Sequence, residues 1–216
     1  MRPRALLFDM DGVVVDSMAL HAEAWKQVLG DHGLILDDID IFRREGMSGR
    51  QSVEDIFSEY GMPFPGNDAY LQLEEKKHSL FERNHVNLYP LATDLIAWAK
   101  QERILTALVT GSPRRSVEHV VPAEVLSLFD AVITAGDVSK GKPDPEPYLK
   151  AMSALGVDAG ETLVVENSPM GILSAKSAGA ICFALETTLP ARFLAGADRV
   201  FGDHAALFGY MKSGMA

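Results

Sequence analysis

The chain has 216 residues, 47% of them hydrophobic, enough for a substantial core in one large domain or in one domain carrying an insertion. Its formal charge of −10, spread along the chain, argues against a general nucleic-acid or membrane-surface binder, and a phosphate ester would need a local cation here. The single cysteine, Cys182, excludes an internal disulfide and, in an apolar stretch, reads as a buried thiol in a reducing compartment.

The opening MRPRALLFDMDG is too short and too soon interrupted by aspartates to be a signal peptide or a membrane span. No later run reaches spanning length, so a cytoplasmic protein is expected. Ala5 to Phe8 reads as a buried strand and is followed at once by Asp9-Met10-Asp11-Gly12. Gly12 lets the chain turn, and a turn can bring both carboxylates to one ligand. Asp9 is then placed to attack phosphorus and Asp11 to exchange a proton with the leaving or entering oxygen. Two bare carboxylates repel a phosphate, and a hard divalent cation such as magnesium resolves the conflict.

The next stretch holds three helical patterns, roughly Ser17 to Gly30, Gln51 to Tyr60 and Asp68 to Asn84, with no convincing strand. Met18, His21, Trp25, Val28 and Leu29 share one face of the first. A crossover needs only about a dozen residues. The segment is therefore expected to be a small all-helical cap domain, residues 17–86, inserted into a core formed by 1–16 and 87–216.

Beyond residue 90 short apolar runs alternate with helical patterns: Ile104 to Val109, Ala131 to Thr134, Thr162 to Val165 and Ile181 to Ala184. This predicts an α/β fold, a Rossmann-like doubly wound parallel sheet that binds ligands at the carboxyl ends of its strands. Three further polar clusters follow strands: Thr110-Gly111-Ser112, Lys140-Gly141-Lys142-Pro143 and Glu166-Asn167-Ser168. Ser112-Pro113 and Ser168-Pro169 predict helix starts whose free N–H groups face an anion. Lys142 supplies a full charge for the carboxylate nucleophile and the transferring group. Taken singly, DMDG is a turn, TGSP and NSP are helix caps and GKP is a surface loop. Their joint occurrence in order, at strand ends, is what points to phosphoryl transfer.

Together LLFDMDGVVVDS, LVTGS, GKPDPEPY and VVENSPMGILSAKSAGA resemble the four motifs of the haloacid dehalogenase superfamily over nearly the whole chain. The resemblance implies a catalytic set of Asp9, Asp11, Thr110 and Lys142. It implies magnesium held by Asp9, the Asp11 carbonyl and the fourth motif. Many relatives carry a second acid where this chain has Asn167, which makes Glu166 the firmer expected ligand. The paired aspartates favour phosphate esters over haloacids.

Within the phosphate branch, DGVVVDSMALHAEAW is similar to β-phosphoglucomutase and small sugar phosphatases. That likeness implies substrate contacts from Gly111, Ser112, His21, Trp25, Arg50 and Lys77. The leading expectation is a phosphomonoester hydrolase acting on a small phosphorylated metabolite, as a monomer or weak homodimer. A sugar-phosphate mutase is the runner-up, and a phospho-accepting receiver module a remote third.

Overall fold

The computed structural model describes residues 2–214. In chain order the elements are β1 (Ala5–Phe8), β2 (Val15–Asp16), α1 (Met18–Gly30), α2 (Asp38–Phe42), α3 (Gly49–Glu59), α4 (Asn67–Phe81) and β3 (Asn87–Leu88). They continue with α5 (Pro90–Gln101), β4 (Leu105–Val109), α6 (Arg114–Val120), α7 (Ala123–Leu126), β5 (Ala131–Ile133) and α8 (Glu146–Leu155). The last are β6 (Thr162–Glu166), α9 (Pro169–Ser177), β7 (Ile181–Leu185), β8 (Arg199–Phe201) and α10 (His204–Gly214).

Six strands form one parallel sheet in the order β5-β4-β1-β6-β7-β8. Successive side chains on a strand point to opposite faces. Leu6, Phe8, Leu108, Leu163, Val165, Phe183 and Leu185 therefore fill one layer, beneath α5, α6, α7 and α10. Ala5, Ala107, Val164, Cys182 and Ala184 face the other way, and these smaller residues seat α8 and α9 closely. Both faces are covered, as an all-parallel sheet requires. The chain leaves β1 for one flank and returns to the other, so β1 lies at the switch point and its carboxyl end opens into the crevice between diverging connections.

The interval after β2 carries α1 to α4 around its own apolar cluster, which includes Trp25, Val28, Leu29, Ile56, Phe57 and Leu73. Four helices stand here where the sequence predicts three. The additional one, α2, has the sequence DIDIF, whose alternation is not helical, and it is fixed by a reciprocal capping box between Asp37 and Asp40. Both passages between sheet and helices run through the two-residue ribbon β2–β3, pairing Val15 with Leu88 and Asp16 with Asn87. Tyr89 reinforces it, donating its hydroxyl to Asp16 Oδ1 at 3.0 Å and stacking on His204 with centroids 4.5 Å apart. The edge strand β8, three residues long, is also unforeseen in the sequence.

Candidate active site

Asp9 continues β1, its N–H donating to Val165 O at 3.0 Å. The chain then turns so tightly that Met10 O accepts from the N–H groups of Val14 and Val15, at 2.8 and 3.0 Å. Gly12 permits this with φ of +84°, and a Cβ there would stand 1.9 Å from Asn167 Nδ2. Asp9 and Asp11 are both buried at the sheet's carboxyl edge.

Lys142 enters from the loop after β5. Its Nζ donates to Asp9 Oδ1 and Glu166 Oε1, both at 2.6 Å, and to Val109 O at 3.2 Å. Burial works against its charge, but Asp9 and Glu166 outweigh that and push the ammonium pKa up. Glu166 is filled on both oxygens. Tyr148 donates its hydroxyl to Oε1 at 2.7 Å, while Oε2 accepts from Asn167 N at 3.0 Å and from Ser168 Oγ at 3.2 Å. Gly171 leaves it room, since a Cβ there would meet Oε1 at 1.7 Å.

Asp11 Oδ1 accepts from Ser17 Oγ at 2.5 Å and from His21 Nε2 at 3.0 Å, and Oδ2 accepts from Ser112 Oγ at 3.3 Å. Burial alone would raise its pKa. His21, Ser17 and Lys77 together overcome that and hold the carboxyl below its ordinary value. Lys77 Nζ lies 2.8 Å from His21 Nδ1. An ammonium only donates, so Nδ1 accepts, the ring proton sits on Nε2, and that N–H donates to Asp11. Burial and Lys77 both lower the His21 pKa, which keeps the imidazole neutral.

Thr110 follows β4, and its Oγ1 accepts from Ser112 N at 3.0 Å. The structure corrects the expected cap here. Pro113, not Ser112, occupies the N-cap of α6, and no side chain caps that helix. Ser168 does cap α9 as expected, its Oγ accepting from Gly171 N at 3.1 Å.

The helical segment lies down on the sheet edge through backbone. A Cβ on Gly111 would stand 2.8 Å from Gly46 O, and one on Gly141 3.4 Å from Ser48 N. Between the layers is a cavity of about 160 Å³. His21, Trp25, Lys77, Gly111 and Ser112 line it as the sequence suggests, together with Glu45, Tyr70, Glu74, His78 and Ser116, which it does not. Arg50 is not brought in with them. It follows Gly49 at the start of α3, pairs with Glu54 at 2.8 Å and Asn67 at 2.7 Å, covers the Phe64 ring, and lines a second cavity with Thr110, Gly111 and Lys142.

The residues fit a hard cation. Asp9 Oδ2 and Asn167 Oδ1 are buried and without a hydrogen-bond partner, the two acceptors such an ion would satisfy. Burial also pushes the Asp9 carboxyl well up against the pull of Lys142, and a cation at Oδ2 acts in the opposite sense. Among the described residues no three of His, Cys, Asp and Glu gather into a metal cluster, so the donor set is a carboxylate and an amide oxygen, with the Asp11 carbonyl nearby in the chain. Oxygen donors of that kind suit magnesium, which retains several waters. Of the two fourth-motif residues, Glu166 has both oxygens in protein contacts and Asn167 has an unpartnered oxygen.

The family model of haloacid dehalogenase-like hydrolases matches residues 3–179. The chain belongs to that family. It is 33% identical over 210 residues to validoxylamine A 7'-phosphate phosphatase of Streptomyces hygroscopicus subsp. limoneus, covering 93% of each chain. It is 27% identical over 208 residues to β-phosphoglucomutase of Bacillus subtilis, covering 91% of this chain and 88% of that one. Among solved structures, a hydrolase from Pseudomonas syringae superposes with a TM-score of 0.88 at 25% identity, covering 96% of this chain and 97% of that one. The protein is thus an enzyme of the superfamily's phosphatase and phosphoglucomutase branch.

Proposed function

We propose that the chain is a magnesium-dependent phosphomonoester hydrolase of small phosphorylated carbohydrates, working through an aspartyl-phosphate on Asp9. The observation that carries this is the pairing at Asp9: Oδ1 is held by Lys142, while Oδ2 is buried, unpartnered and at the switch point of the sheet. Asp9 attacks phosphorus, the ester P–O bond breaks, and the leaving oxygen takes a proton from Asp11. Water then attacks the phosphoaspartate, Asp11 takes its proton, and inorganic phosphate leaves with Asp9 regenerated. The low-lying Asp11 carboxyl, held by His21 and Ser17, suits the second step as a base. Lys142 and Thr110 offset charge on the transferring group. Asp9, Asn167 and the Asp11 carbonyl would hold magnesium, which would supply positive charge against the repulsion between carboxylate and phosphate.

Residues 17–86 serve as a cap domain on a core of 1–16 and 87–216. The glycine contacts let this segment sit close on the sheet edge, over the site. A mutase, which the Bacillus relative's name brings into view, must also hold a second phosphoryl group through a reorientation. A screen of phosphorylated metabolites with magnesium, scored for free phosphate and for isomerised sugar phosphate, tests the reading. Isomerisation without phosphate release would replace hydrolase by mutase, and turnover unchanged by exhaustive chelation would remove the metal.

A further inference from the structure

Lys142 has three ammonium protons, and Asp9 Oδ1, Glu166 Oε1 and Val109 O take all of them. Asp9 and Glu166 stand at the same distance from it, 2.6 Å, so two carboxylates divide one positive charge. The division is weighted by a further contact on Glu166 Oε1, the hydroxyl of Tyr148 at 2.7 Å. A carboxylate only accepts, so the phenol donates, and together with Lys142 it fills both lone pairs of that oxygen. The same side chain meets the cation directly, since Lys142 Nζ lies 5.0 Å from the centre of the Tyr148 ring.

The junction is boxed in. Tyr148 has no exposed surface on α8, and on the side of α9 a Cβ at Gly171 would stand 1.7 Å from Glu166 Oε1. Glu166 therefore cannot turn its oxygen to another donor without moving a helix. A hydrogen bond to an ionised acceptor is about twice as strong as a neutral one, and negative charge drawn toward the phenol proton is charge that no longer attracts Lys142.

Resting on the phosphatase reading above, we propose that Tyr148 is a positioning residue for phosphoryl transfer. Its hydroxyl partly offsets the charge of Glu166, so that Lys142 directs its own toward Asp9 and the transferring group. Tyr148 touches neither the substrate nor the reacting atoms and acts through Glu166 and Lys142. When Asp9 takes up the phosphoryl group, its negative charge passes to the phosphoryl oxygens and Oδ1 is left as the carbonyl oxygen of an acyl phosphate. Glu166 is then the one carboxylate still in contact with Lys142, and the Tyr148 proton limits how strongly it withdraws the ammonium from the phosphoryl charge.

Tyr148→Phe keeps the ring and its contact with Lys142 and removes only the donor. For p-nitrophenyl phosphate and glucose 6-phosphate, kcat should fall about tenfold with KM changed by less than about twofold, the pattern of an interaction lost from the transition state alone. Replacing Tyr148 by 3-fluorotyrosine and by 3,5-difluorotyrosine separates this from a packing defect, because the hydroxyl becomes a stronger donor on nearly the same shape. Burial, with the Glu166 charge, pushes the phenol pKa well up, so the ring stays protonated. Turnover should rise from phenylalanine to tyrosine to the mono- and the difluorinated ring, whereas crowding by fluorine would lower it. Where the phenylalanine variant fails to fold, the fluorinated pair decides. A phenylalanine variant within about twofold of wild type in kcat, a loss carried by KM alone, or a series that is flat or falls beyond tyrosine overturns this inference and leaves the phosphatase reading standing. A wild-type enzyme that hydrolyses no phosphomonoester overturns both.

Discussion

Asn167 Nδ2 donates to Thr188 Oγ1 at 2.7 Å, and that contact fixes which way the amide faces. Thr187 Oγ1 lies 2.6 Å from Gly12 O, which can only accept, so Thr187 donates there. Thr188 Oγ1, 3.4 Å from Thr187 Oγ1, can pass its own proton along the same line and so accepts from Asn167. The run of donors ends on the Gly12 carbonyl and leaves Asn167 Oδ1 unpartnered for a cation. Thr188→Val is expected to weaken magnesium binding by roughly 10–100-fold. Thr188→Ser should restore most of it. Titration calorimetry on the substrate-free protein checks this, and unchanged affinity in the valine variant would show that the amide is oriented by something else.

Asp9→Asn should lower turnover by roughly 10⁴-fold or more, since an amide cannot accept the phosphoryl group. Rapid quenching with phosphorus-labelled substrate should trap protein-bound label in the wild type and none in the variant. Label retained in the variant would move the nucleophile elsewhere.

Lys142→Met leaves Asp9 and Glu166 buried close together with no cation between them, where the native pair contacts are both 2.6 Å. Breaking a buried ion pair from one side costs about 3–5 kcal/mol, so denaturant midpoint and activity should fall together. A midpoint within error of wild type would mean that the two acids neutralise each other by sharing a proton.

Glu45 offers a pH signature. Burial, with the nearby Asp11 charge, pushes its pKa from 4.5 up to about 8. Between those values the folded state binds more protons at this site than the unfolded state, so stability falls as pH rises through the window. Glu45→Gln removes the titration. The variant should therefore gain in Tm relative to wild type on going from pH 5 to pH 8, and a constant difference between the two would contradict the shift.

Arg50 and Lys77 should now part company. Arg50 is half exposed in a surface pair, a contact worth little, so Arg50→Ala should change kcat/KM for any phosphomonoester by no more than about twofold. Lys77→Ala withdraws the donor that fixes the His21 tautomer and should depress turnover of sugar phosphates by at least about tenfold. Equal effects in steady-state kinetics would place Arg50 back at the substrate.

The strands and the gathering of Asp9, Asp11, Lys142 and Glu166 were readable in the sequence because a parallel sheet brings every strand end to one edge, whatever the sequence separation. Arg50 shows where that logic stops. On a helix one residue is a turn of about 100°, and whether Gly49 or Arg50 meets the cavity depends on how α3 is docked. Glu45 and the Thr187-Thr188 pair sit in connections with no periodicity to mark them. Tyr148, which holds Glu166 from behind, has the pattern of an ordinary core residue of α8. The short helix α2 is hidden for a related reason, because its capping box outweighs a side-chain alternation unlike a helix.

Gly46 and Gly111 lie where the helical segment meets the sheet edge, with the Lys142 stem and the Gly46 carbonyl as the nearest opposing atoms. The cavity is walled largely by side chains of α1, α3, α4 and the turn before α3, with Gly111 and Ser112 on the side of the sheet. The close backbone contact and most of the cavity wall are therefore written in different parts of the covalent structure. A lineage can exchange Glu74, Tyr70 or Trp25 to serve a new metabolite without disturbing closure, whereas a single methyl group at Gly111 would hold the two halves apart for every substrate alike.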